Sequence, residues 1–334
     1  MQTSSILMQT LCVSCACHCR YCLLSWDGHT AGADWDRSVR FARGFQDWLK
    51  QNRPDLSFSF SFGYSMEHPD LKGALRTLRE IGSPQASYLQ CDGLRMRTEE
   101  ECKEFAGMLR AEGVQALNFT IYGERAYHDR FAGRGGDFDL LLRLMNAAGR
   151  EGMEISAGVP LTADNLSQVS ELIPFLESLP AAPHIFLFIP HGEGRGAKLQ
   201  PFRLKEEAFL ALPDYVRALL NCSLFRPERE WIEGGFYQEE TQRTLILSLQ
   251  TQCMARYEAM TPADLIREAE ELDDAYYRAF PPFQELALRY GDPESTLLYR
   301  QRDLFHYYRR QYAAEFGVEV YDVTDERQTG SRRF

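Results

Sequence analysis

The chain has 334 residues, of which 44% are hydrophobic and 25% charged, so it can bury a sizeable core in one large or two modest domains. Its net charge of −11 and the lack of a basic stripe disfavour nucleic acid as a partner. No apolar run approaches the roughly 20 residues that span a bilayer, and the first residues lack the basic start and long apolar stretch of a signal peptide. We therefore expect a cytoplasmic protein without a membrane partner.

The first part of the chain alternates between strand-like and helix-like segments. Short apolar or alternating segments predict β-strands at residues 5–11, 56–62, 87–91, 114–121, 153–160 and 184–189. Apolar residues at helical spacing predict helices at residues 35–50, 70–81, 98–109, 137–150 and 164–179. Asp34 is a candidate N-cap of the first helix, and Thr98 with Glu101 forms a candidate capping box of the third.

This alternation predicts an α/β fold. Strands joined by helices at this spacing run parallel, with right-handed crossovers. Six strands fit a partial (β/α)6 barrel, because a full eight-stranded barrel usually takes about 250 residues. Chemistry in such barrels lies at the carboxyl ends of the strands, and the first strand leads directly into a cysteine-rich loop at residues 12–22.

The composition changes after about residue 200. We therefore divide the chain into a core at residues 1–200 and a mostly helical C-terminal region at residues 201–334. In this second region the patterns predict helices at residues 204–220, 262–280, 283–290 and 296–316, and a strand at residues 244–249. The aromatic residues of the last helix form either core or the wall of a substrate pocket, and the polar tail at residues 324–334 is expected to fray.

Five of the nine cysteines lie close together near the N-terminus, at Cys12, Cys15, Cys17, Cys19 and Cys22. Clustered thiolates select iron–sulfur clusters, zinc or copper, and a disulfide framework would need a secreted protein. A zinc site would use two knuckles, Cys12-x2-Cys15 and Cys19-x2-Cys22, but zinc ribbons usually separate their knuckles by roughly 15–20 residues. An iron–sulfur site is favoured and zinc is the alternative. The simplest expectation is that Cys12 faces the core from the first strand and that Cys17 is a loop residue.

The spacing Cys15-x3-Cys19-x2-Cys22, with Tyr21 before the last cysteine, resembles the signature of the radical S-adenosylmethionine (SAM) superfamily. The resemblance implies a partial barrel of the radical SAM type, in which the three cysteines hold a [4Fe–4S] cluster and SAM chelates the fourth iron. It further implies reductive cleavage of SAM to a 5′-deoxyadenosyl radical, which takes a hydrogen atom from a substrate. A flavodoxin or ferredoxin would then donate the electron, and Tyr21 would contribute to the cofactor site.

A second similarity to this family follows the second predicted strand. Residues 63–71 look like the family's Gly-Gly-Glu-Pro motif and the His-Pro-Asp-Leu run that ends it. Gly63 keeps the second glycine, whereas Phe62, Tyr64 and Ser65 replace the other three residues. The resemblance implies that backbone at Gly63 approaches SAM. The alternative is that Gly63 only makes a turn.

Further similarities follow the fourth and sixth predicted strands. Thr120 matches the serine of the family's Ser-x-Asp-Gly motif, while Tyr122 replaces its aspartate. Arg195, in Gly194-Arg195-Gly196, matches a Gly-Arg-Ala run. The resemblance, which covers about residues 5–200, implies that Thr120 and Arg195 bind SAM. The alternatives are an ordinary strand threonine and a surface arginine.

Cysteines are sparse in the rest of the chain. Only Cys222 and Cys253 follow residue 200, whereas many relatives carry about seven cysteines there for auxiliary clusters of the SPASM type. We therefore expect a single cluster and no such domain. Cys91, Cys222 and Cys253 are candidates for a thiol that returns a hydrogen atom to the substrate, and the alternative is that each is buried and inert. Cys91, at the end of the third predicted strand, is expected to point towards the mouth of the barrel.

Two classes of function follow from these observations. The first is an enzyme that modifies a peptide or a small molecule by hydrogen abstraction, with epimerisation, cyclisation, rearrangement and oxidation all open. The second is a non-catalytic iron–sulfur or zinc module that binds a partner.

Overall fold

The computed structural model describes residues 1–13, 15–22, 33–63, 66–192, 194–239 and 241–319. Its strands are β1 (Gln2–Gln9), β2 (Ser57–Ser61), β3 (Tyr88–Gln90), β4 (Ala116–Thr120), β5 (Glu154–Pro160), β6 (His184–Phe188), β7 (Arg226–Pro227), β8 (Gln242–Ser248) and β9 (Leu298–Tyr299). Its helices are α1 (Trp35–Asn52), α2 (Leu71–Ile81), α3 (Glu99–Ala111), α4 (Arg125–Ala132), α5 (Asp137–Arg150), α6 (Leu166–Glu177), α7 (Glu206–Leu210), α8 (Asp214–Arg217), α9 (Glu228–Glu233), α10 (Thr251–Glu258), α11 (Pro262–Arg278), α12 (Phe283–Tyr290) and α13 (Gln301–Phe316). The six strands predicted before residue 190 are all present.

Parallel strands form two sheets, in the orders β2-β1-β8 and β3-β4-β5-β6. The expected α/β fold with a partial parallel barrel is confirmed. Strand β8 extends the first sheet, because it pairs with β1 from Gln2 opposite Gln242 to Gln9 opposite Ser248.

Side chains bridge the joint between the two sheets. The Ser83 hydroxyl donates to the carbonyl of Phe60 at 2.7 Å. The Gln85 side chain accepts from the backbone of Phe62 at 3.2 Å and donates to the carbonyl of Gly63 at 3.3 Å. The chain after α2 therefore ties β2 to the segment that leads into β3.

The two faces of each sheet differ in polarity because neighbouring side chains of a strand point to opposite faces. On β1, Ile6 and Met8 are fully buried in the main hydrophobic core. The same core takes Leu117 and Phe119 of β4. The opposite face carries polar side chains, described below with the site.

Local signals in the sequence fix several helix ends. The Asp34 side chain accepts from the backbone of Arg37, as an N-cap does. The capping box of Thr98 and Glu101 is complete. Each such cap is worth about 1 kcal/mol.

The carboxy-terminal third differs most from its prediction. The helix predicted at residues 204–220 is interrupted at Pro213, whose ring breaks helical hydrogen bonding, and becomes α7 and α8. Helices α9 and α10 of this third were not predicted, and neither was α4 in the first part of the chain. The segment at residues 296–316 begins with the short strand β9, which pairs antiparallel with β7, before α13 starts.

Aromatic residues of α13 form a second hydrophobic cluster. Tyr308 is fully buried there with Tyr299, Trp231 and Phe283. The division of the chain at residue 200 stays a prediction, although β8 joins β1 across it. The tail at residues 324–334 lies outside the described residues, and none of the described helices has the length and apolar character needed to cross a bilayer.

Candidate functional site

The cysteine loop begins where β1 ends, and hydrogen bonds to three neighbouring segments hold its backbone. Ala16 donates to the carbonyl of Gly93, which follows β3, at 3.0 Å. His18 and Arg20 donate to carbonyls at the end of α4, at 2.8 and 3.0 Å. The loop therefore lies at the carboxyl ends of the strands, where the sequence predicted it.

A third anchor comes from the segment after β6. The Arg195 guanidinium Nε donates to the carbonyl of Cys19 at 3.0 Å, and Gly196 N donates to the carbonyl of Cys22 at 3.3 Å. Arg195 thus binds the backbone of the cysteine loop.

Gly93 leaves room for a cysteine sulfur. Its φ is +66°, and a Cβ built at this position would lie 2.1 Å from Cys15 Sγ. Any other residue would therefore be strained by the left-handed backbone and would collide with the sulfur.

The thiols of the loop are close to one another. The hydrogen bond with Cys17, followed by burial, raises the pKa of the Cys15 thiol well above its usual value. For Cys17, the hydrogen bond with Cys15 lowers the pKa, but the hydrogen bond with Cys19 and burial outweigh it and raise the pKa overall. These thiols are therefore protonated without a cation, and a bound metal would drive their deprotonation.

The donor set fits a [4Fe–4S] cluster. Among the described residues, no three Cys, His, Asp or Glu side chains form a group that could hold a metal ion. A cube takes one cysteine per iron, so its ligands need not converge on one point. Cys15, Cys19 and Cys22 supply three thiols from one anchored loop, as such a cube requires.

The two remaining cysteines of the run differ from expectation. The prediction that Cys12 faces the core from the first strand is wrong, because β1 ends at Gln9. Cys12 is half-buried, with its sulfur 3.3 Å from Thr10 Oγ1. Cys17 is a loop residue but is only 3% exposed, and its sulfur lies 3.8 Å from both carboxylate oxygens of Asp137.

Asp137 is the centre of a buried polar network. His128 Nδ1 accepts from the backbone of Tyr122 at 3.1 Å, so its Nε2 carries the proton and donates to Asp137 at 3.0 Å. Arg134 also pairs with Asp137. Burial alone would raise the pKa of Asp137, but the His128 and Arg134 hydrogen bonds outweigh it and hold that pKa below its usual range.

Aromatic rings pack behind the cysteine loop. Tyr21 lies 5.3 Å from Tyr122 and 5.9 Å from Phe188, measured between ring centroids. Its hydroxyl is 3.5 Å from Thr120 Oγ1. The Tyr122 hydroxyl lies 3.0 Å from Cys19 Sγ. Tyr21 and Thr120, both predicted at the cofactor site, are therefore in contact.

A band of polar side chains crosses the inner face of β3, β4 and β5, and we call it the polar band. It consists of Gln90, Asp92, Asn118, Thr120 and Ser156. Asn118 donates to Gln90 and accepts from Ser156, the latter at 2.8 Å. Thr120 donates to Asp92 from its hydroxyl at 3.0 Å and from its backbone at 3.2 Å. Burial raises the pKa of Asp92 to about 6, although hydrogen bonds from Gln90 and Thr120 oppose the rise.

Sequence reasoning missed most of the polar band. Thr120 was predicted, but Gln90, Asp92, Asn118 and Ser156 were not. The signal was present, because Asn118 and Thr120 alternate along β4 with the apolar Leu117 and Phe119.

Comparison with known proteins adds two kinds of similarity. No family model matches the chain. Among solved structures, SuiB of Streptococcus suis bound to precursor peptide SuiA is similar at 10% identity and a TM-score of 0.48, over 74% of this chain and 58% of that one. The radical SAM enzyme coproporphyrinogen III oxidase (HemN) of Escherichia coli is similar at 13% identity and a TM-score of 0.43, over 67% and 54%.

Two curated relatives are both named AdoMet-dependent heme synthase, and AdoMet is SAM. The protein of Oleidesulfovibrio alaskensis is 28% identical over 188 residues, which is 56% of this chain and 45% of the relative. The protein of Nitratidesulfovibrio vulgaris is 34% identical over 95 residues, which is 28% of this chain and 26% of the relative. The chain is therefore similar, over part of its length, to proteins whose names state a dependence on SAM, which agrees with its resemblance to the radical SAM superfamily. Each match spans less than half of the relative's length.

The segment after β2, which resembles a radical SAM motif, is described only in part. Gly63 has a φ of +86°, and a Cβ there would lie 2.4 Å from the Leu11 side chain, so the turn requires glycine. Tyr64 and Ser65 lie outside the described residues. The role of Gly63 in binding SAM stays a prediction.

The expectation that Cys91 points to the mouth of the barrel is wrong. Cys91 is fully buried in the main hydrophobic core, on the same face of its strand as Leu89. The neighbouring Gln90 and Asp92 take the inner face instead. The strand was predicted correctly, but the face assigned to Cys91 was not.

The two other candidate hydrogen donors lie in the carboxy-terminal third. Cys222 is exposed, with its thiol 3.4 Å from the carbonyl of Leu220. Cys253 belongs to α10 and is 3% exposed within the main core. Their proposed redox role stays a prediction, and the burial of Cys253 favours the inert alternative.

Proposed function

We propose that this protein is an enzyme that holds a single [4Fe–4S] cluster with Cys15, Cys19 and Cys22 and acts on a polar organic substrate, either a peptide or a small molecule. When bound, the cluster would supply the electron that cleaves SAM to methionine and a 5′-deoxyadenosyl radical, which removes a hydrogen atom from the substrate. The observation that carries the proposal is the cysteine loop, anchored at the carboxyl ends of the strands with three suitably spaced thiols.

The residues around the loop would hold it in place while the cofactors bind. Arg195 and Gly196 bind the loop backbone at Cys19 and Cys22. Gly93 and the end of α4 bind it at the residues between Cys15 and Tyr21. A site fixed by several independent segments is pre-organised, so little ordering is needed on binding.

Three predicted residues would form the SAM site beside this loop. Tyr21 would pack against SAM from the loop itself, and the Thr120 hydroxyl would offer a hydrogen bond from β4. The contact between these two side chains supports a shared site. Backbone at Gly63 would complete the site from the turn after β2.

The polar band supports a polar substrate. Its amide and hydroxyl groups would satisfy hydrogen-bonding groups of a ligand that enters the barrel, as buried polar groups need. Gln9, on the inner face of β1, is 2% exposed, and its Nε2 has no hydrogen-bond partner among the described residues. A carbonyl or carboxylate oxygen of the substrate would satisfy this donor.

The electron would come from a small redox protein such as a flavodoxin or a ferredoxin. The chain itself carries only two cysteines after residue 200, Cys222 and Cys253, which is too few for an auxiliary cluster of the family's kind. The cluster at the loop would therefore be the electron acceptor.

Anaerobic reconstitution tests the proposal. We expect about four irons per chain, an absorption band near roughly 400 nm, and 5′-deoxyadenosine when SAM and a reductant are added. One zinc per chain without iron would contradict the proposal and favour the partner-binding module.

A further inference from the structure

Tyr122 touches one of the three cysteines of the motif. Its hydroxyl oxygen lies 3.0 Å from Cys19 Sγ. Both side chains are buried, with exposed fractions of 2% for Tyr122 and 8% for Cys19. The contact is therefore shielded from water, which strengthens its electrostatic effect.

Three rings pack against the ring of Tyr122. Its centroid lies 4.8 Å from that of His128, which is stacked on it, and 4.7 Å from that of Phe131. Tyr21 packs against it at 5.3 Å. The hydroxyl position is consequently set by packing, and the ring has little freedom to turn away from Cys19.

The backbone of Tyr122 is fixed as well. Its N–H donates to His128 Nδ1 at 3.1 Å, and its carbonyl accepts from Asn165 Nδ2 at 2.9 Å. His128 is in turn held by Asp137 at 3.0 Å. A chain of buried hydrogen bonds therefore positions the residue that contacts Cys19.

The direction of the contact follows from the chemistry of the two groups. A thiolate that binds iron carries no proton and can only accept a hydrogen bond, whereas a tyrosine hydroxyl can donate one. Hydrogen bonds to the sulfurs of an iron–sulfur cluster tune its reduction potential, because they stabilise the more negative, reduced state.

We propose that Tyr122 is a positioning residue that donates a hydrogen bond to the Cys19 thiolate of the cluster and thereby raises the cluster's reduction potential. The inference rests on the proposed function, since it needs a cluster at Cys19. It concerns a position where the sequence departs from the aspartate that the resemblance implies.

A redox titration of the reconstituted protein without SAM tests the inference. The variants are Tyr122→Phe, which removes only the hydroxyl, and Tyr127→Phe as a matched control. Tyr127 belongs to the same aromatic cluster, and its hydroxyl makes no hydrogen bond to a cysteine among the described residues. We expect the cluster's reduction potential to be lower in Tyr122→Phe by up to about 59 mV, which is about a tenfold change in the equilibrium constant of a one-electron couple. The potential of Tyr127→Phe should match that of the wild type.

A spectroscopic readout separates a lost hydrogen bond from a general disturbance of the fold. In the reduced wild-type protein, electron–nuclear double resonance should detect an exchangeable proton coupled to the cluster, and Tyr122→Phe should lack it. An unchanged potential together with an unchanged proton coupling would overturn the inference. So would an equal shift in both variants, because it would come from packing rather than from the hydroxyl.

Failure of the proposed function gives a different pattern. A wild-type protein that assembles the cluster and shows the Tyr122 effect but forms no 5′-deoxyadenosine would contradict the function and support the inference. Normal 5′-deoxyadenosine formation with an unchanged potential in Tyr122→Phe would contradict the inference alone. A wild-type protein that binds no iron would contradict both.

Discussion

At the scale of single residues, Gly93 shows how closely the backbone approaches the cysteine loop. Its φ is +66°, and an added Cβ would meet Cys15 Sγ at 2.1 Å. Gly152 has a similar φ of +70°, but nothing lies within 4 Å of an added Cβ. The two positions therefore share a left-handed backbone, and only Gly93 lies against a cysteine sulfur.

This pair gives a prediction for iron binding. We expect Gly93→Ala and Gly152→Ala each to lose about 1–2 kcal/mol of unfolding free energy from the left-handed backbone. Only Gly93→Ala should also lower the iron bound per chain, measured after anaerobic reconstitution. Equal iron content in the two variants would show that Cys15 needs no room at Gly93.

Asp92 gives a prediction for pH dependence. Its pKa is raised by burial to about 6 in the folded protein, from a usual value of 3.8. Because its pKa is raised, Asp92 binds a proton more tightly in the folded state than in the unfolded state. The stability that this proton contributes is present below about pH 4 and is lost as the pH rises through about 6. The loss in the free energy of unfolding is at most about 3 kcal/mol. Asp92→Asn cannot ionise and should lack this slope.

Urea unfolding of the protein without cofactors, between pH 4.5 and 7.5, measures the effect. The free energy of unfolding of Asp92→Asn, relative to that of the wild type, should increase with pH over this range. A constant difference between the two proteins would contradict the raised pKa. Only the slope is diagnostic, because asparagine also removes one acceptor from Thr120 or Gln90.

Residue-level prediction from the sequence is most specific where spacing carries the chemistry. Cys15, Cys19 and Cys22 are predicted as ligands because ligands of one cluster must lie close together on a loop, and the structure confirms the loop while the ligand role stays a prediction. The face predicted for Cys91 was wrong because a shift of one residue along a strand exchanges the two faces of the sheet. A strand of only three residues has too few side chains to show which face is the inner one. The contact of Tyr122 with Cys19 joins positions 103 residues apart, and no local pattern encodes it.

At the scale of secondary-structure elements, β8 has the most consequence for the architecture. It comes from the carboxy-terminal third, yet it pairs with β1 along the full length of that strand. Its Leu245 and Leu247 are fully buried in the main core. The strand that leads into the cysteine loop is thus supported from the other end of the chain.

We predict that weakening β8 loosens β1. Leu247→Ala should cost about 2–5 kcal/mol, because it removes a fully buried side chain. The control Gln242→Ala changes an exposed residue of the same strand and should stay within about 0.5 kcal/mol of the wild type.

Hydrogen exchange then locates the loss. Backbone amides of Gln2–Gln9 should exchange faster in Leu247→Ala than in Gln242→Ala, since β1 loses a packed neighbour. Faster exchange confined to residues 242–319 would instead show that the carboxy-terminal third unfolds independently of the barrel.

Element prediction shows the same division between local and long-range information. Periodicity and caps located the strands and helices of the first part of the chain, since they depend on neighbours along the sequence. The strand predicted at residues 244–249 was found as β8, but its place beside β1 was not predicted. Strand partners depend on contacts distant in sequence, which periodicity does not record.

At the scale of the whole molecule, the fold brings several separate segments to one end of the barrel. The loop after β1 supplies the cysteines, the turn after β3 and the end of α4 hold its backbone, and the segment after β6 adds Arg195. Below them the polar band crosses three strands. The proposed function depends on this arrangement, in which the cysteine loop and the polar band lie at the same end of the strands.

The most direct test of this account is 5′-deoxyadenosine formed from SAM by anaerobically reconstituted protein with a chemical reductant. We compare the wild type with Cys15→Ala, Cys19→Ala and Cys22→Ala, and use Cys17→Ala as the control from the same loop. We predict that the wild type and Cys17→Ala form 5′-deoxyadenosine and that each of the other three variants loses it, together with most of its iron. Product formation that survives loss of Cys15, Cys19 or Cys22, or a wild type that forms none, would contradict the account.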